Sequence, residues 1–232
     1  TKNTQPAILT VSYSIFKVLK DEFNFDFSSF KYFAGHSLGE YSALVCSQSL
    51  NFNDALYLLH ERGKAMQEAV PLGKGSMIAI IGMGVSEILD LLKSYNNNGV
   101  CEIANDNAEG QVIVSGNKEN VSSLQILLKE KKIKSIPLKV SAPFHCSLMK
   151  AAANIMEEKI NNTEFKNPKF KIVNNVTAQP EDSPDIIKKL LIDQIFSTVK
   201  WRESLINMSK EGVKNFIEIG PGKVLSGMVK RT

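Results

Sequence analysis

The sequence has 232 residues, of which 43% are hydrophobic and 22% charged, and its formal net charge is +4. These values are typical of a chain that buries a sizeable core, and they exclude an intrinsically disordered protein. The charge comes from 25 Lys and three Arg, without the basic cluster and interleaved aromatics typical of a nucleic-acid-binding face. We therefore expect no nucleic-acid partner.

The cysteine count and the apolar runs indicate the kind of environment in which the protein works. Three cysteines without a CxxC pair leave one unpaired in any disulfide scheme, which favours a reducing compartment. No apolar run approaches the roughly 18 residues that cross a bilayer, and the first residues lack the features of a signal peptide. We expect no membrane partner, and we expect no metal because no residues have metal-ligand spacing.

The chain opens with segments of helical and strand-like periodicity. Residues 5–20 predict a buried helix, residues 30–35 a strand, and residues 40–48 a second helix. A long helix follows, for which Asn53 or Asp54 is the candidate N-cap and Gly63 the candidate break.

The period then changes repeatedly between residues 74 and 140. The stretches 76–82, 100–105, 110–116 and 133–140 read as strands, and 85–95 and 117–132 as helices. This β-α-β-β-α-β order is typical of a ferredoxin-like unit. We therefore predict a small subdomain at 74–140, inserted into a large one formed by 1–73 and 141–232.

The remaining residues resume the alternation of helices and strands. Helices are predicted at 145–160, 184–196, 201–212 and 222–230, and strands at 169–175 and 213–220. Strands that alternate with helices favour a mainly parallel sheet covered on both faces. The predicted fold class is α/β, with a hydrolase-like large subdomain.

A Gly-x-Ser-x-Gly pentapeptide, residues 35–39, lies between the first predicted strand and a helix. The pentapeptide alone is a weak signal, since short motifs also arise by chance. Its strand-turn-helix setting is the one in which a nucleophilic serine is exposed on a sharp bend, with the next backbone N–H directed at a developing oxyanion. Ser37 is therefore the candidate nucleophile and Leu38 the candidate oxyanion donor.

A serine nucleophile needs a base, and the chain has three histidines. His36 adjoins Ser37, so its ring should diverge from it, and His60 lies within a helix. His145 stands where the small subdomain ends and a helix begins, which allows it to face the cleft between the subdomains. His145 is the preferred base, with a structural loop histidine as the alternative.

Arg62 is a scarce guanidinium among abundant lysines. The planar guanidinium pairs with a carboxylate through two hydrogen bonds, which an ammonium cannot do. Arg62 is therefore the candidate carboxylate-binding residue, with an exposed helix charge as the alternative.

Several further segments carry a resemblance to a known family. They are "QPAILTVS", "AGHSLGEYSALVC", "ERGKAMQEAV", "GQVIVSG", "APFHC" with "LMK", "VNNV", "LIDQI" with "VKW", and "EIGPGKVLSG", and they run from about residue 5 to 230. Together they resemble the malonyl-CoA:acyl carrier protein transacylases of fatty-acid synthesis, which are related to polyketide synthase acyltransferase domains.

The resemblance implies roles for named residues. It makes Ser37 the acylated nucleophile and His145 its base, oriented by the backbone carbonyl of Gln194 rather than by a carboxylate. It assigns the substrate carboxylate to Arg62 and an oxyanion-hole N–H to Leu38. It also implies that Phe144, Met66 and Asn107 contact the substrate.

The resemblance also implies the reaction and its partners. A malonyl group would pass from coenzyme A to the phosphopantetheine thiol of acyl carrier protein through a malonyl-serine, with no cofactor and a monomeric enzyme. The expected location is the cytoplasm of a bacterium, or a plastid or mitochondrion. The family places a glycine-glutamine-glycine loop ahead of the first residue given, and lack of its oxyanion donor would slow the reaction on the order of 100- to 1000-fold.

Two alternatives remain at this point. A serine hydrolase of the α/β-hydrolase type shares the strand-turn-helix nucleophile, although the inserted subdomain is foreign to it and Asp54, Asp90 and Asp106 have no evident triad setting. A module that only docks a carrier protein would use the lysines 129, 131 and 132 to meet an acidic partner, and its binding would weaken with salt.

Overall fold

The computed structural model describes residues 1–94 and 98–232. The helices are α1 (Thr4–Asp21), α2 (Gly39–Cys46), α3 (Phe52–Glu68), α4 (Val85–Ser94), α5 (Lys118–Glu130), α6 (Lys150–Asn161), α7 (Pro184–Gln194), α8 (Trp201–Lys210) and α9 (Val224–Val229). The strands are β1 (Tyr32–Ala34), β2 (Gly75–Ile81), β3 (Cys101–Ala108), β4 (Gln111–Asn117), β5 (Lys134–Pro137), β6 (Lys171–Val173) and β7 (Pro180–Glu181). Tyr95, the last residue of one predicted helix, lies outside the described residues.

The large subdomain is built around a short sheet in the order β1-β6-β7. Strands β1 and β6 pair in parallel, and β7 adds a brief antiparallel edge. Helices α1, α2, α3, α6 and α7 bury one apolar cluster beside this sheet. Its fully buried members include Leu9, Leu44, Leu58, Met156 and Leu191. The residues that follow β1 are thereby held between a sheet and a helical layer.

The small subdomain contains a four-stranded antiparallel sheet in the order β3-β4-β2-β5. Helices α4 and α5 bury Ile88, Leu124 and Leu128 against one face of it. This strand order and the β-α-β-β-α-β succession are those of the ferredoxin-like arrangement. The sheet lies within the predicted range 74–140, whose outer boundaries stay a prediction.

Strand β3 also joins the small subdomain to the large one. Asn105 forms a parallel bridge with Val199, and Asp106 accepts from Arg202 Nε at 3.0 and 3.1 Å. The Thr198 hydroxyl donates to the Ile103 carbonyl at 2.6 Å. These contacts hold the two subdomains against each other beside the end of β1.

Three local predictions are wrong. Residues 213–220 form no strand, because no strand within the described residues pairs with them, and Phe216 and Ile217 are exposed. Helix α3 begins at Phe52 with Asn51 as its N-cap, and it is continuous through Gly63. A Cβ at Gly63 would lie 2.7 Å from the Cα of Lys2, so this glycine admits a close approach of the chain rather than a break.

Among residues 1–94 and 98–232, every helix is too short or too polar to cross a bilayer.

The turn between β1 and α2 depends on one of its two glycines. A Cβ at Gly35 would lie 1.9 Å from the carbonyl oxygen of Gly39, far inside van der Waals contact, whereas a Cβ at Gly39 would meet nothing within 4 Å. The sharp bend therefore requires glycine at position 35, because any side chain there would clash with the backbone. Position 39 has room for a side chain.

We predict that Gly35→Ala lowers the free energy of unfolding by about 3 kcal/mol, because the added methyl group must displace backbone. The matched variant Gly39→Ala should change it by less than about 1 kcal/mol, since alanine suits the first turn of a helix. Urea denaturation of the three proteins measures both values. Equal losses in the two variants would contradict the steric account.

Candidate active site

A cleft of about 430 Å³ opens beside the turn at Ser37. Its lining includes six of the eight predicted site residues. They are Ser37, Leu38, Arg62, Met66, Phe144 and His145. The sequence therefore identified most of one continuous site, although its members are up to 108 residues apart.

Ser37 occupies a constrained backbone position at the end of the turn. Its φ is +53°, a left-handed conformation that few serines adopt and that often marks a functional site. The Ser37 N–H donates to Asn175 Oδ1 at 2.7 Å, and Asn175 Nδ2 donates to the Gly35 carbonyl at 2.8 Å. The Asn175 amide thus spans the turn and fixes the direction of the Ser37 hydroxyl.

His145 lies between this hydroxyl and a helix end. Its Nε2 is 2.8 Å from Ser37 Oγ, and its Nδ1 is 2.8 Å from the Gln194 carbonyl oxygen. A carbonyl oxygen only accepts, so Nδ1 carries the proton and the Nε2 lone pair faces the hydroxyl. The hydroxyl therefore donates to Nε2, as a nucleophile does to its general base.

The protonation state of His145 suits that role. Burial, and after it the nearby positive charge of Arg62, lowers the pKa of His145 to about 3. The imidazole is therefore neutral near pH 7 and can accept a proton. The left-handed φ of +58° at His145 shows that this ring, like Ser37, is held in an uncommon backbone geometry.

Gln194 is the last residue of α7. Carbonyl groups in the last turn of a helix lack helical partners and lie at the negative end of the helix dipole. The Gln194 carbonyl therefore has an acceptor free for His145, and the dipole favours positive charge on the imidazole. A helix terminus here stands where a triad would place a carboxylate.

Arg62 reaches the same hydroxyl from α3. Its side chain is only 1% exposed, which rules out the alternative of an exposed helix charge. Nη2 lies 3.2 Å from Ser37 Oγ and 2.9 Å from Gln194 Oε1, and Nη1 donates to Gln5 Oε1 at 2.7 Å. A buried guanidinium beside the nucleophile is suited to bind an anionic group next to the reacting carbon.

Leu38 precedes the first residue of α2. Its backbone N–H makes no hydrogen bond within the described residues, and it stands at the positive end of the helix dipole. A negatively charged oxygen that develops beside Ser37 would find this donor available.

The comparisons with known proteins agree with this geometry. Residues 1–232 match the acyl transferase domain family. The chain belongs to this family. The resemblance noted from the sequence is thus confirmed, and with it the α/β fold class of the acyl transferase.

Individual relatives are similar over the whole chain. A malonyl CoA-acyl carrier protein transacylase of Bacillus subtilis is 42% identical over 234 residues, which cover 100% of this chain and 72% of the relative. The crystal structure of an acyl carrier protein S-malonyltransferase from Vibrio cholerae superposes with a TM-score of 0.95 at 41% identity, covering 100% of this chain and 75% of that one. A malonyl-transacylase in complex with a type II polyketide synthase acyl-carrier protein gives 0.94 at 40% identity, covering 100% and 74%.

The remaining candidate residues have distinct positions in the acyl transferase. Met66 and Phe144 line the cleft, whereas Asn107 lies outside the lining and pairs through Oδ1 with His36 Nε2 at 2.8 Å. A role of Asn107 toward the substrate stays a prediction. The His36 ring diverges from Ser37 and packs edge-on against Trp201, and His60 is exposed on α3.

Sequence reasoning missed three polar residues that build the site. Glu40 is fully buried behind Ser37, and Asn175 spans the turn. Gln5 accepts a hydrogen bond from Arg62. All three lie in the segments that carried the family resemblance, but their residue types alone suggest surface positions. A charged residue on the apolar first turn of α2 was the one available signal.

Within residues 1–94 and 98–232 no three His, Cys, Asp or Glu side chains are grouped so as to hold a metal ion.

The burial of neutral His145 makes a prediction for stability against pH. Its folded pKa of about 3 lies below the ordinary 6.5, so below pH 6.5 the unfolded chain binds a proton that the folded chain does not. The free energy of unfolding should therefore fall with decreasing pH by about 1.4 kcal/mol per unit from this group alone. Urea denaturation between pH 7 and 4 measures it.

His145→Gln serves as the control, because it removes the titrating group. As the pH falls, the unfolding free energy of the native protein should decrease relative to that of the variant. Parallel pH profiles would show that His145 is not held neutral in the folded protein.

Proposed function

We propose that the chain is a malonyl-CoA:acyl carrier protein transacylase that supplies malonyl groups for fatty-acid synthesis. The names of its relatives support this reaction. One observation assigns its steps to particular residues. Ser37 Oγ lies within 2.8 Å of the base His145 and 3.2 Å of the guanidinium of Arg62. Nucleophile, base and anion-binding group therefore meet at a single oxygen.

The first half-reaction acylates Ser37. The Ser37 hydroxyl gives its proton to His145 Nε2 while its oxygen attacks the thioester carbonyl of malonyl-CoA. The oxyanion that forms accepts the Leu38 N–H. As the carbon–sulfur bond breaks, His145 returns the proton to the departing thiolate, and coenzyme A leaves.

The second half-reaction runs the same steps with another thiol. The phosphopantetheine thiol of acyl carrier protein gives its proton to His145 and attacks the malonyl-serine ester. The carbon–oxygen bond breaks, and His145 protonates Ser37. The steps need no cofactor beyond the two thiol carriers, and they predict ping-pong kinetics.

Arg62 accounts for the preference for a malonyl group. Its guanidinium is buried, so a charge-assisted hydrogen bond to the malonyl carboxylate contributes about 1.5 to 3 kcal/mol. An acetyl group would leave this charge without its anionic partner in the closed site, which adds a penalty against it. Acyl groups with a carboxylate on the α carbon are therefore preferred.

Acyl carrier protein is the partner of the second step. The bacterial relatives lead us to propose that the enzyme acts in a cytoplasm. The monomeric state that the family resemblance implies stays a prediction.

The decisive test is the intact mass of the protein after brief mixing with malonyl-CoA. We expect an increase by one malonyl group in the native protein, no increase in Ser37→Ala, and little with acetyl-CoA. Addition of holo acyl carrier protein should then remove the group and malonylate the carrier.

Two outcomes would overturn the proposal. Absence of any adduct on the native protein would show that no acylated serine forms. Release of the malonyl group to water at the same rate with or without the carrier would instead indicate a hydrolase.

Phe144 makes a separate prediction about acyl size. This bulky ring lines the cleft directly before His145, where an α-substituent of the acyl group would lie. Phe144→Ser should raise kcat/KM for methylmalonyl-CoA relative to malonyl-CoA by about tenfold, since it opens space for one methyl group. An unchanged ratio would show that another residue excludes the branched substrate.

A further inference from the structure

Glu40 is a buried carboxylate that the two half-reactions do not use. It lies in the first turn of α2, three residues after Ser37, and its side chain is 0% exposed. Its oxygens accept from Asn174 Nδ2, from the Asn175 N–H at 3.1 Å and from Gln194 Nε2 at 2.8 Å. Every group at hydrogen-bonding distance is a donor and favours the ionised carboxylate, while burial opposes ionisation and raises the pKa of Glu40 to about 7.

The Gln194 side chain connects this carboxylate to Arg62. Gln194 Oε1 accepts from Arg62 Nη2 at 2.9 Å, while Gln194 Nε2 donates to Glu40 and to the Ser37 carbonyl at 3.1 Å. A guanidinium only donates and a carboxylate only accepts, so the amide between them has one satisfactory orientation. Glu40 therefore determines which end of Gln194 faces Arg62.

The arrangement also balances charge inside the protein. An isolated buried guanidinium is costly, and a direct ion pair would offset that cost. Such a pair would also occupy the face of Arg62 that a substrate carboxylate needs. A carboxylate held one amide away compensates the charge without contacting the guanidinium, and Arg62 still lines the cleft.

We propose that Glu40 is a positioning residue for substrate selectivity, which acts through the Gln194 amide to hold Arg62 ready for the carboxylate of the acyl group. This inference rests on the proposed function, because it concerns the choice between malonyl and acetyl thioesters. It assigns to Gln194 two separate tasks: the backbone carbonyl holds His145, and the side chain holds Arg62.

Glu40→Gln tests the inference. The new amide brings an NH₂ group into a site where three donors converge, so the Gln194 amide must turn over and present Nε2 to Arg62. We expect the ratio of kcat/KM for malonyl-CoA to that for acetyl-CoA to fall about tenfold, mainly through a higher KM for malonyl-CoA. If the role of Glu40 were purely structural, kcat/KM would fall equally for both substrates and the ratio would stay unchanged.

Two further variants frame this result. Glu40→Asp retains the negative charge and should restore most of the ratio. Glu61→Gln is the matched control, because it removes the carboxylate adjacent to Arg62 in sequence that pairs with Lys159 instead, at 3.0 Å. It should leave the ratio unchanged.

Gln194→Met gives an independent measurement if Glu40→Gln does not fold. It removes the amide link and keeps the backbone carbonyl that holds His145, so it should lower the ratio in the same direction. An unchanged ratio in whichever of the two variants folds would overturn the role of Glu40 while native malonylation upheld the transacylase. Absence of malonylation in the native protein would overturn both.

Discussion

The hydrogen bond from His145 to the Gln194 carbonyl is the interaction on which the site depends. It fixes the tautomer of the imidazole and directs its lone pair at Ser37. The acceptor is supplied by the end of a helix, so no further carboxylate is needed beside the base. A carboxylate on the imidazole would also have competed for Arg62, whose charge must remain available to the substrate.

Local patterns in the sequence were sufficient for the reactive residues. Ser37 follows from a short motif in a strand-turn-helix context, and His145 follows from the scarcity of histidines and from its place after the inserted subdomain. The four strands of the small subdomain and strands β1 and β6 were also predictable, because side-chain periodicity is a property of the local sequence. The family resemblance added Gln194. This residue holds His145 through its backbone carbonyl, which every residue type has, so the residue type alone could not indicate the role.

The supporting residues could not be predicted in this way. Glu40 and Asn175 act through contacts between segments about 135 residues apart, and their side chains are those of ordinary surface positions. Residues 213–220 show the converse limit. Their strand-like composition is a local preference, and a strand forms only where a neighbouring strand supplies hydrogen bonds. Tertiary placement decides both cases.

The way in which the small subdomain is inserted bears on how the protein folds. Strands β2 and β5, which stand at its entrance and exit, are hydrogen-bonded neighbours, and a Cβ at Gly75 would lie 2.3 Å from the ring of Pro143. The excursion therefore returns the chain to its starting point. Because closure entropy grows with the logarithm of loop length, a folded insert shortens the effective path between Ser37 and His145. Early formation of the small subdomain should then accelerate assembly of the reactive pair.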